Sequence, residues 1–250
     1  MSANKVAIIT VASRGIGAET ARLFAKHGYA VCINYVSNDA AAERVKNEII
    51  QLGGRCIIVK ADVSVACDVI RLFEAVDAEL GRISVLVNNA AILKQQCRMV
   101  DITEERFAEV LRTNVMSCFL CSKEAVKRMS TNYGGKGGAI VNVSSGAAKS
   151  GSPNEYVDYA ASKGAVDTLT RGLALEVAAE GIRVNAVRPG LIYTEMHASG
   201  GEPGRVDRLK AKIPLQRGGE AREVAETILW LATEKSSFVT GSFIDVAGGL

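Results

Sequence analysis

Short apolar runs alternate with helical patterns along nearly the whole chain, and this alternation leaves few folds open. Val6–Thr10, Ala30–Asn34, Cys56–Lys60, Val85–Asn88, Ala139–Val143, Arg183–Val187 and Phe243–Val246 read as strands buried on both faces. Between them, helical periodicity runs over Ala18–His27, Ala40–Leu52, Ala66–Leu80, Glu104–Met129, Tyr156–Ala179 and Ala221–Ala232. Gly28, Gly53, Gly81 and Gly181 stand just past helix ends, where a left-handed cap suits glycine. Repeated βαβ order with short connections predicts an α/β fold with a doubly wound, parallel, seven-stranded sheet.

Bulk properties narrow the function. A chain of 250 residues fills one large α/β domain, and no linker or internal repeat divides residues 1–250. The net charge of +3 is spread along the chain without a basic run, which argues against nucleic acid and anionic membranes as partners. No apolar run reaches the roughly 18 residues of a membrane span. The opening "MSANKVAII" leads almost at once into a strand, so no signal peptide is expected. Six cysteines show no disulfide spacing, which points to a reducing, cytoplasmic setting. Cys118 and Cys121 form a C-x-x-C within a predicted helix, but no second cluster completes a zinc site, so no metal is expected. "YGGKGGA", Tyr133–Ala139, lacks the Ser/Thr that follows lysine in a P-loop and reads as a surface connection. The longest irregular stretch, about 191–217, is long enough to form a substrate lid.

The first strand runs into "TVASRGIGAE", and Gly15 and Gly17 open the first helix. Free amides at a helix N-terminus attract phosphate, and glycine lets a pyrophosphate approach the backbone. Placed after strand one, the turn predicts a Rossmann-type dinucleotide site. The second strand ends in Asn34 and Tyr35, where NAD-preferring proteins usually carry an acidic residue for the ribose 2′-hydroxyl. No carboxylate there repels a 2′-phosphate, and Arg14 is placed to pair with one. NADP is therefore the expected cofactor, with NAD possible because Asp39 lies close by.

Tyr159 and Lys163 are four residues apart and share a helix face. They follow "IVNVSS", a strand pattern ending in Ser144 and Ser145, and doubly wound sheets bind ligands at strand ends. A tyrosine is ordinarily too weak an acid to act as a base at neutral pH, and a neighbouring lysine cation, helped by a positively charged nicotinamide, would favour its phenolate. Tyr159 would then exchange a proton with a carbonyl or alcohol oxygen, Ser145 would hydrogen-bond that oxygen, and Lys163 would also hold the nicotinamide ribose.

Together these features resemble the short-chain dehydrogenase/reductase family over essentially the whole chain. The matching pieces are "TVASRGIG" for T-G-x-x-x-G-x-G, "ADV" at Ala61–Val63, "NNAA" at Asn88–Ala91, Asn114 in "RTNV", Ser145, "YAASK" at Tyr159–Lys163 and "RPGLIYT" at Arg188–Thr194. Within the family, "SPNEYVDYAASKGAVDTLT" resembles bacterial oxidoreductases labelled glucose or ribitol dehydrogenase-like. The resemblance implies a catalytic set of Asn114, Ser145, Tyr159 and Lys163, with Asn114 holding a water of the proton relay. It implies a cofactor cleft built from Thr10, Ser13, Arg14, Gly15, Ile16 and Gly17 in the turn. Asp62 and Val63 would flank the adenine, Asn89 and Ala90 would line the cleft, and Pro189, Ile192 and Thr194 would meet the nicotinamide end. It further implies a homotetramer, with the Glu104–Met129 and Tyr156–Ala179 helices pairing across one interface, and a small carbonyl or alcohol substrate.

The chain departs from the family pattern in three places. Val11 replaces the first glycine of the turn, Ala91 replaces the last residue of N-N-A-G, and the stretch from Ser145 to Tyr159 is one residue longer, which keeps Ser144 in view. A β-branched residue at Val11 would be an outlier if the turn needs positive φ. These departures give some support to an alternative reading, a non-catalytic NAD(P)-binding redox sensor or regulator. Of the two histidines, His27 reads as a helix cap, and His197 in the lid stretch is a candidate to face substrate. Glu155 is a further substrate-side candidate.

Overall fold

The computed structural model describes residues 5–250. In chain order the first half contains β1 (Val6–Ile9), α1 (Gly15–Lys26), β2 (Ala30–Tyr35), α2 (Asp39–Gln51), β3 (Cys56–Lys60), α3 (Ala66–Glu79) and β4 (Val85–Asn88). Next come α4 (Glu104–Leu111), α5 (Ser117–Met129), β5 (Gly138–Val143), α6 (Ala147–Ser150), α7 (Val157–Val177) and β6 (Ile182–Pro189). The chain closes with β7 (Ile192–Tyr193), α8 (Met196–Ser199), α9 (Arg205–Leu209), β8 (Gly219–Glu220), α10 (Ala221–Ala232) and β9 (Phe243–Val246).

The seven strands expected from the apolar runs form one sheet in the order β3-β2-β1-β4-β5-β6-β9. Every neighbouring pair is parallel. The strand order reverses between β1 and β4, so their carboxyl ends diverge into the crevice where such sheets bind ligands. β1, β2 and β4 are buried along their full length, as helices cover both faces. One core joins Phe24, Val45, Ile228 and Leu231 to the sheet face beneath α1, α2 and α10. The other joins Phe73, Val76, Ala125 and Val177 beneath α3, α5 and α7.

The predicted helix Glu104–Met129 is not continuous. A π-helical turn at Arg112–Met116 separates α4 from α5 and carries Asn114. Both flanks keep helical dihedrals, so side-chain periodicity alone does not reveal the extra residue. The stretch 191–217 is also more ordered than predicted: it holds α8, α9 and β7, and β7 pairs with β8 in a separate ribbon. α1 begins at Gly15, three residues before its predicted start, because the turn glycines already belong to the helix. His27 is the C-cap of α1, with its Nδ1 2.9 Å from the Leu23 carbonyl. Among the described residues, no helix is long and apolar enough to cross a membrane.

Candidate active site

The turn after β1 is held by two asparagines. Val11 has φ +50°, the left-handed region that β-branched residues avoid. Its N–H donates to Asn34 Oδ1 at 3.2 Å, and its carbonyl accepts from Asn89 Nδ2 at 3.1 Å. Thr10 Oγ1 accepts the amides of Asn89 and Ala90, each at 2.9 Å, locking β1 to the segment after β4. Arg14 is the extended N-cap residue of α1 and supplies no side-chain cap. Gly15 has φ +53°, and a Cβ there would point at Thr194 and Glu195, 3.5 and 3.7 Å away. At Gly17 a Cβ would lie 2.7 Å from the Val11 carbonyl, so only glycine lets the helix start so close to the turn. An uncapped helix start, a bare Gly15 facing Thr194 and Glu195, and an exposed arginine fit a bound pyrophosphate.

Two hollows flank this turn. One, of about 590 Å³, is lined by Ile16, Asn89, Ser145, Tyr159, Lys163, Pro189, Ile192 and Thr194, so these predicted site residues converge. The other, of about 470 Å³, is lined by Ser13, Arg14, Gly15 and Thr194, together with Arg22 and Arg44. Thr194 lines both hollows.

Thr10, Asn34, Tyr35, Asp62, Val63 and Ala90, predicted as cofactor residues, line neither hollow. Asn34 is fully buried, and its Nδ2 donates to the Val59 and Ala61 carbonyls at 3.3 and 2.9 Å. Its side chain is therefore spent on the backbone. The Tyr35 hydroxyl donates to Asp39 Oδ1 at 2.8 Å, and Lys60 also reaches Asp39. Asp62 Oδ1 accepts the Ser64 amide and hydroxyl, and Val63 and Ala90 are buried. Ala91 lines the larger hollow and is not among the positive-φ residues, so its methyl group brings no backbone strain.

The two serines at the end of β5 diverge. Ser144 is buried, and its hydroxyl donates to the Lys163 carbonyl at 3.4 Å. Ser145 faces the cleft, and its Oγ accepts the Ala147 amide at 3.1 Å. The connection from Ser145 to Tyr159 turns sharply, with φ positive at Gly151, Ser152 and Asn154. Lys163 is buried on α7 and donates from Nζ to the Val143 carbonyl at 2.7 Å. Its Nζ lies 5.5 Å from the centre of the Tyr159 ring.

Burial pushes the Tyr159 phenol up to about 12, against the opposing pull of the neighbouring Ser145 hydroxyl. Burial also brings the Lys163 ammonium down to about 8, opposed by Cys118 and Asp167. Burial dominates at Tyr159, because removing a phenolate from water is costly. This environment favours the protonated phenol.

Asn114 does not line the cleft. Its Oδ1 accepts the Ile92 amide at 2.8 Å, and its Nδ2 donates to the Ile92 carbonyl and to Ser162 Oγ at 3.2 and 3.0 Å. The side chain thereby ties the π turn to α7 and to the segment after β4.

Around the cleft, ion pairs between residues remote in sequence engage the acidic side chains. Asp158, buried beside Tyr159, accepts Arg106 Nε at 2.7 Å and Arg106 Nη2 at 3.3 Å. Glu155 is committed to Arg205 of α9, at 2.5 and 3.0 Å, so it is not free for substrate. Glu202 also pairs with Arg205 and Arg208. His197 does line the cleft: its Nε2 contacts the Ile192 carbonyl at 3.0 Å, and burial lowers its pKa. No sequence motif joins Arg106 to Asp158 or Glu155 to Arg205, which lie 52 and 50 residues apart.

Comparison with known proteins agrees with this architecture. Residues 11–250 match the protein family described as Enoyl-(Acyl carrier protein) reductase. The chain is 60% identical to the "Uncharacterized oxidoreductase YgfF" of Escherichia coli K12 over 244 residues, covering 98% of this chain and 99% of that one. It is 36% identical to the 3-oxoacyl-[acyl-carrier-protein] reductase FabG of Staphylococcus epidermidis over 247 residues, covering 99% of each. Among solved structures, a short-chain type dehydrogenase/reductase from Mycobacterium marinum superposes with a TM-score of 0.91 at 36% identity, covering 98% of this chain and 94% of that one. A Serratia marcescens short-chain dehydrogenase/reductase carrying two leucine substitutions gives 0.90 at 30% identity, covering 98% and 97%. With a seven-stranded parallel sheet, a glycine turn at its switch point and these relatives, the chain belongs to the short-chain dehydrogenase/reductase family of oxidoreductases.

Proposed function

We propose that the protein is an NADP(H)-dependent enzyme acting between a small carbonyl compound and its alcohol, with Tyr159 as acid/base. The observation that carries this reading is the convergence of Ser145, Tyr159 and Lys163 in one cleft beside the glycine turn. A bound nicotinamide dinucleotide supplies or accepts the hydride. Ser145 orients the reacting oxygen, and the Tyr159 phenol, protonated at neutral pH, donates to it during reduction. Lys163, anchored on the Val143 carbonyl, directs its remaining N–H groups toward the ribose and the phenol. Asn114 acts as a positioning residue, because its amide groups are engaged with Ile92 and Ser162. A regulator without catalysis has no need of this protonated donor and its anchored lysine.

Preference for NADP rests on charge. Arg14 and Arg44 line the same hollow beside the turn, and neither has an ion-pair partner among the described residues. Residues 191–217 act as the lid, held by Arg205 to Glu155 and by the Tyr156 hydroxyl, which donates to the Gly200 carbonyl at 3.1 Å. Phe107, Met116, Phe119 and Leu175 are exposed on α4, the π turn, α5 and α7, which supports helix pairing in a homotetramer. All six cysteines are free thiols, in keeping with a cytoplasmic setting. A panel of carbonyls, alcohols and sugars, followed by NADPH and NADH absorbance, tests the reading; cofactor binding without turnover of any of them would count against catalysis.

A further inference from the structure

The walls beyond Tyr159 restrict the molecules that the cleft accepts. Leu93, Leu191, Met196, Leu209 and Leu250 line it, so much of the surface is aliphatic. The polar groups of the lining are partly engaged: Ser150 Oγ accepts the Ser152 amide at 3.3 Å, the Tyr156 hydroxyl donates to the Gly200 carbonyl at 3.1 Å, and His197 Nε2 lies 3.0 Å from the Ile192 carbonyl. Asn89 is the one carboxamide of the lining, and its Nδ2 is spent on the Thr10 and Val11 carbonyls at 2.9 and 3.1 Å. Asp245 is the one carboxylate of the lining, and it takes Lys149 at 2.8 Å and Arg188 at 3.8 Å.

Charge at the substrate end is unbalanced. Lys149, Lys163, Arg205 and Lys212 line the cleft against Asp245 alone, with Lys163 anchored on the Val143 carbonyl. Lys149 is neutralised by Asp245, and Arg205 by Glu155 and Glu202. Lys212 has no hydrogen bond or ion pair among the described residues, and it stands on the lid beside Leu209 and Ile213. A cation without a partner at the edge of an apolar cleft draws anions and focuses its field on them.

We propose that the substrate is an aliphatic oxo acid, or the corresponding hydroxy acid, with its carboxylate directed to Lys212. The carbonyl lies at Ser145 and Tyr159, and the chain runs along Leu93, Leu209 and Leu250. In reduction the carbonyl carbon gains a hydride, the oxygen gains the Tyr159 proton, and NADPH is oxidised to NADP⁺. The inference rests on the oxidoreductase reading above and adds the substrate class.

The test compares levulinate, methyl levulinate, methyl propyl ketone and fructose as substrates of the full chain with NADPH. Levulinate should exceed its ester in kcat/KM by about tenfold at low salt, as expected for one charge-assisted contact. That ratio should shrink as salt rises and collapse in Lys212→Gln. Equal use of acid and ester, preference for fructose, or a full acid-over-ester ratio in Lys212→Gln overturns the proposal. Calorimetric binding of valerate in the presence of NADP⁺ separates the two readings. Valerate binding that depends on Lys212 without turnover of any carbonyl supports the anion site and defeats the catalytic reading. Turnover of neutral ketones with no valerate binding defeats the anion site alone.

Discussion

Asn34 Oδ1 accepts the Val11 amide at 3.2 Å, and a valine is thereby held at φ +50°. The cost of a left-handed non-glycine residue is about 1–3 kcal/mol, and the buried asparagine helps to offset it. Val11→Gly removes that strain, loses some packing and raises unfolded-chain entropy by roughly 0.5–1 kcal/mol. The melting temperature of the ligand-free protein should therefore stay level or rise, and NADPH should bind more tightly. Differential scanning calorimetry with and without NADPH checks both; a lower melting temperature and unchanged affinity would show that the valine side chain contributes more than its backbone costs.

Tyr159→Phe should abolish turnover while leaving NADPH affinity nearly intact, because it deletes one hydroxyl and little volume. Lys163→Ala should weaken both, since its ammonium serves the ribose as well as the phenol. Steady-state rates and fluorescence titration of each variant make the distinction. Undiminished turnover in Tyr159→Phe would remove that residue from the chemistry.

NADPH should bind more tightly than NADH, by about tenfold or more if one charge-assisted pair with the 2′-phosphate contributes roughly 1.5–3 kcal/mol. Arg14→Ala and added salt should both reduce the preference. Titration with each dinucleotide measures it, and equal or stronger binding of NADH contradicts the assignment.

The pH dependence follows from Lys163. Burial places its ammonium at about 8, so the proton is present below that pH and lost above it. kcat/KM for NADPH, which reports groups of the free enzyme, should fall as pH rises through about 8. Tyr159, pushed up to about 12, remains protonated across that limb. A profile flat to pH 10 would assign the ribose contact to another group.

Asp158 depends on Arg106 because it is buried and accepts two of the guanidinium N–H groups. Arg106→Leu should destabilise the fold by about 3–5 kcal/mol by leaving an unpaired buried carboxylate. Adding Asp158→Asn should recover part of that loss. Urea denaturation of the single and double variants is the measurement, and additive losses would deny the coupling.

The order of strands and helices was legible because each strand is buried on both faces and each helix has one apolar side. Tyr159, Lys163 and Ser145 were legible for a similar reason: local spacing places them near one strand end. What stayed hidden depends on partners remote in sequence. Asn34 reads as a cofactor residue at the end of β2, yet its carboxamide serves the Val11 turn and the β3 segment. Asn114 reads as a relay residue, yet the π turn directs its side chain to Ile92 and Ser162. Glu155 reads as a candidate for substrate, and only the placement of α9 reveals Arg205 beside it.

The Thr10 hydroxyl, which accepts the amides of Asn89 and Ala90, joins residues 79 and 80 positions apart. Such a contact gains nothing until β1, β4 and the intervening units have come together, so loop-closure entropy must be met first. The cleft is consequently a late product of folding. During refolding, helical circular dichroism should return before catalytic activity, and a chain stalled with β1 undocked would have secondary structure but no working site.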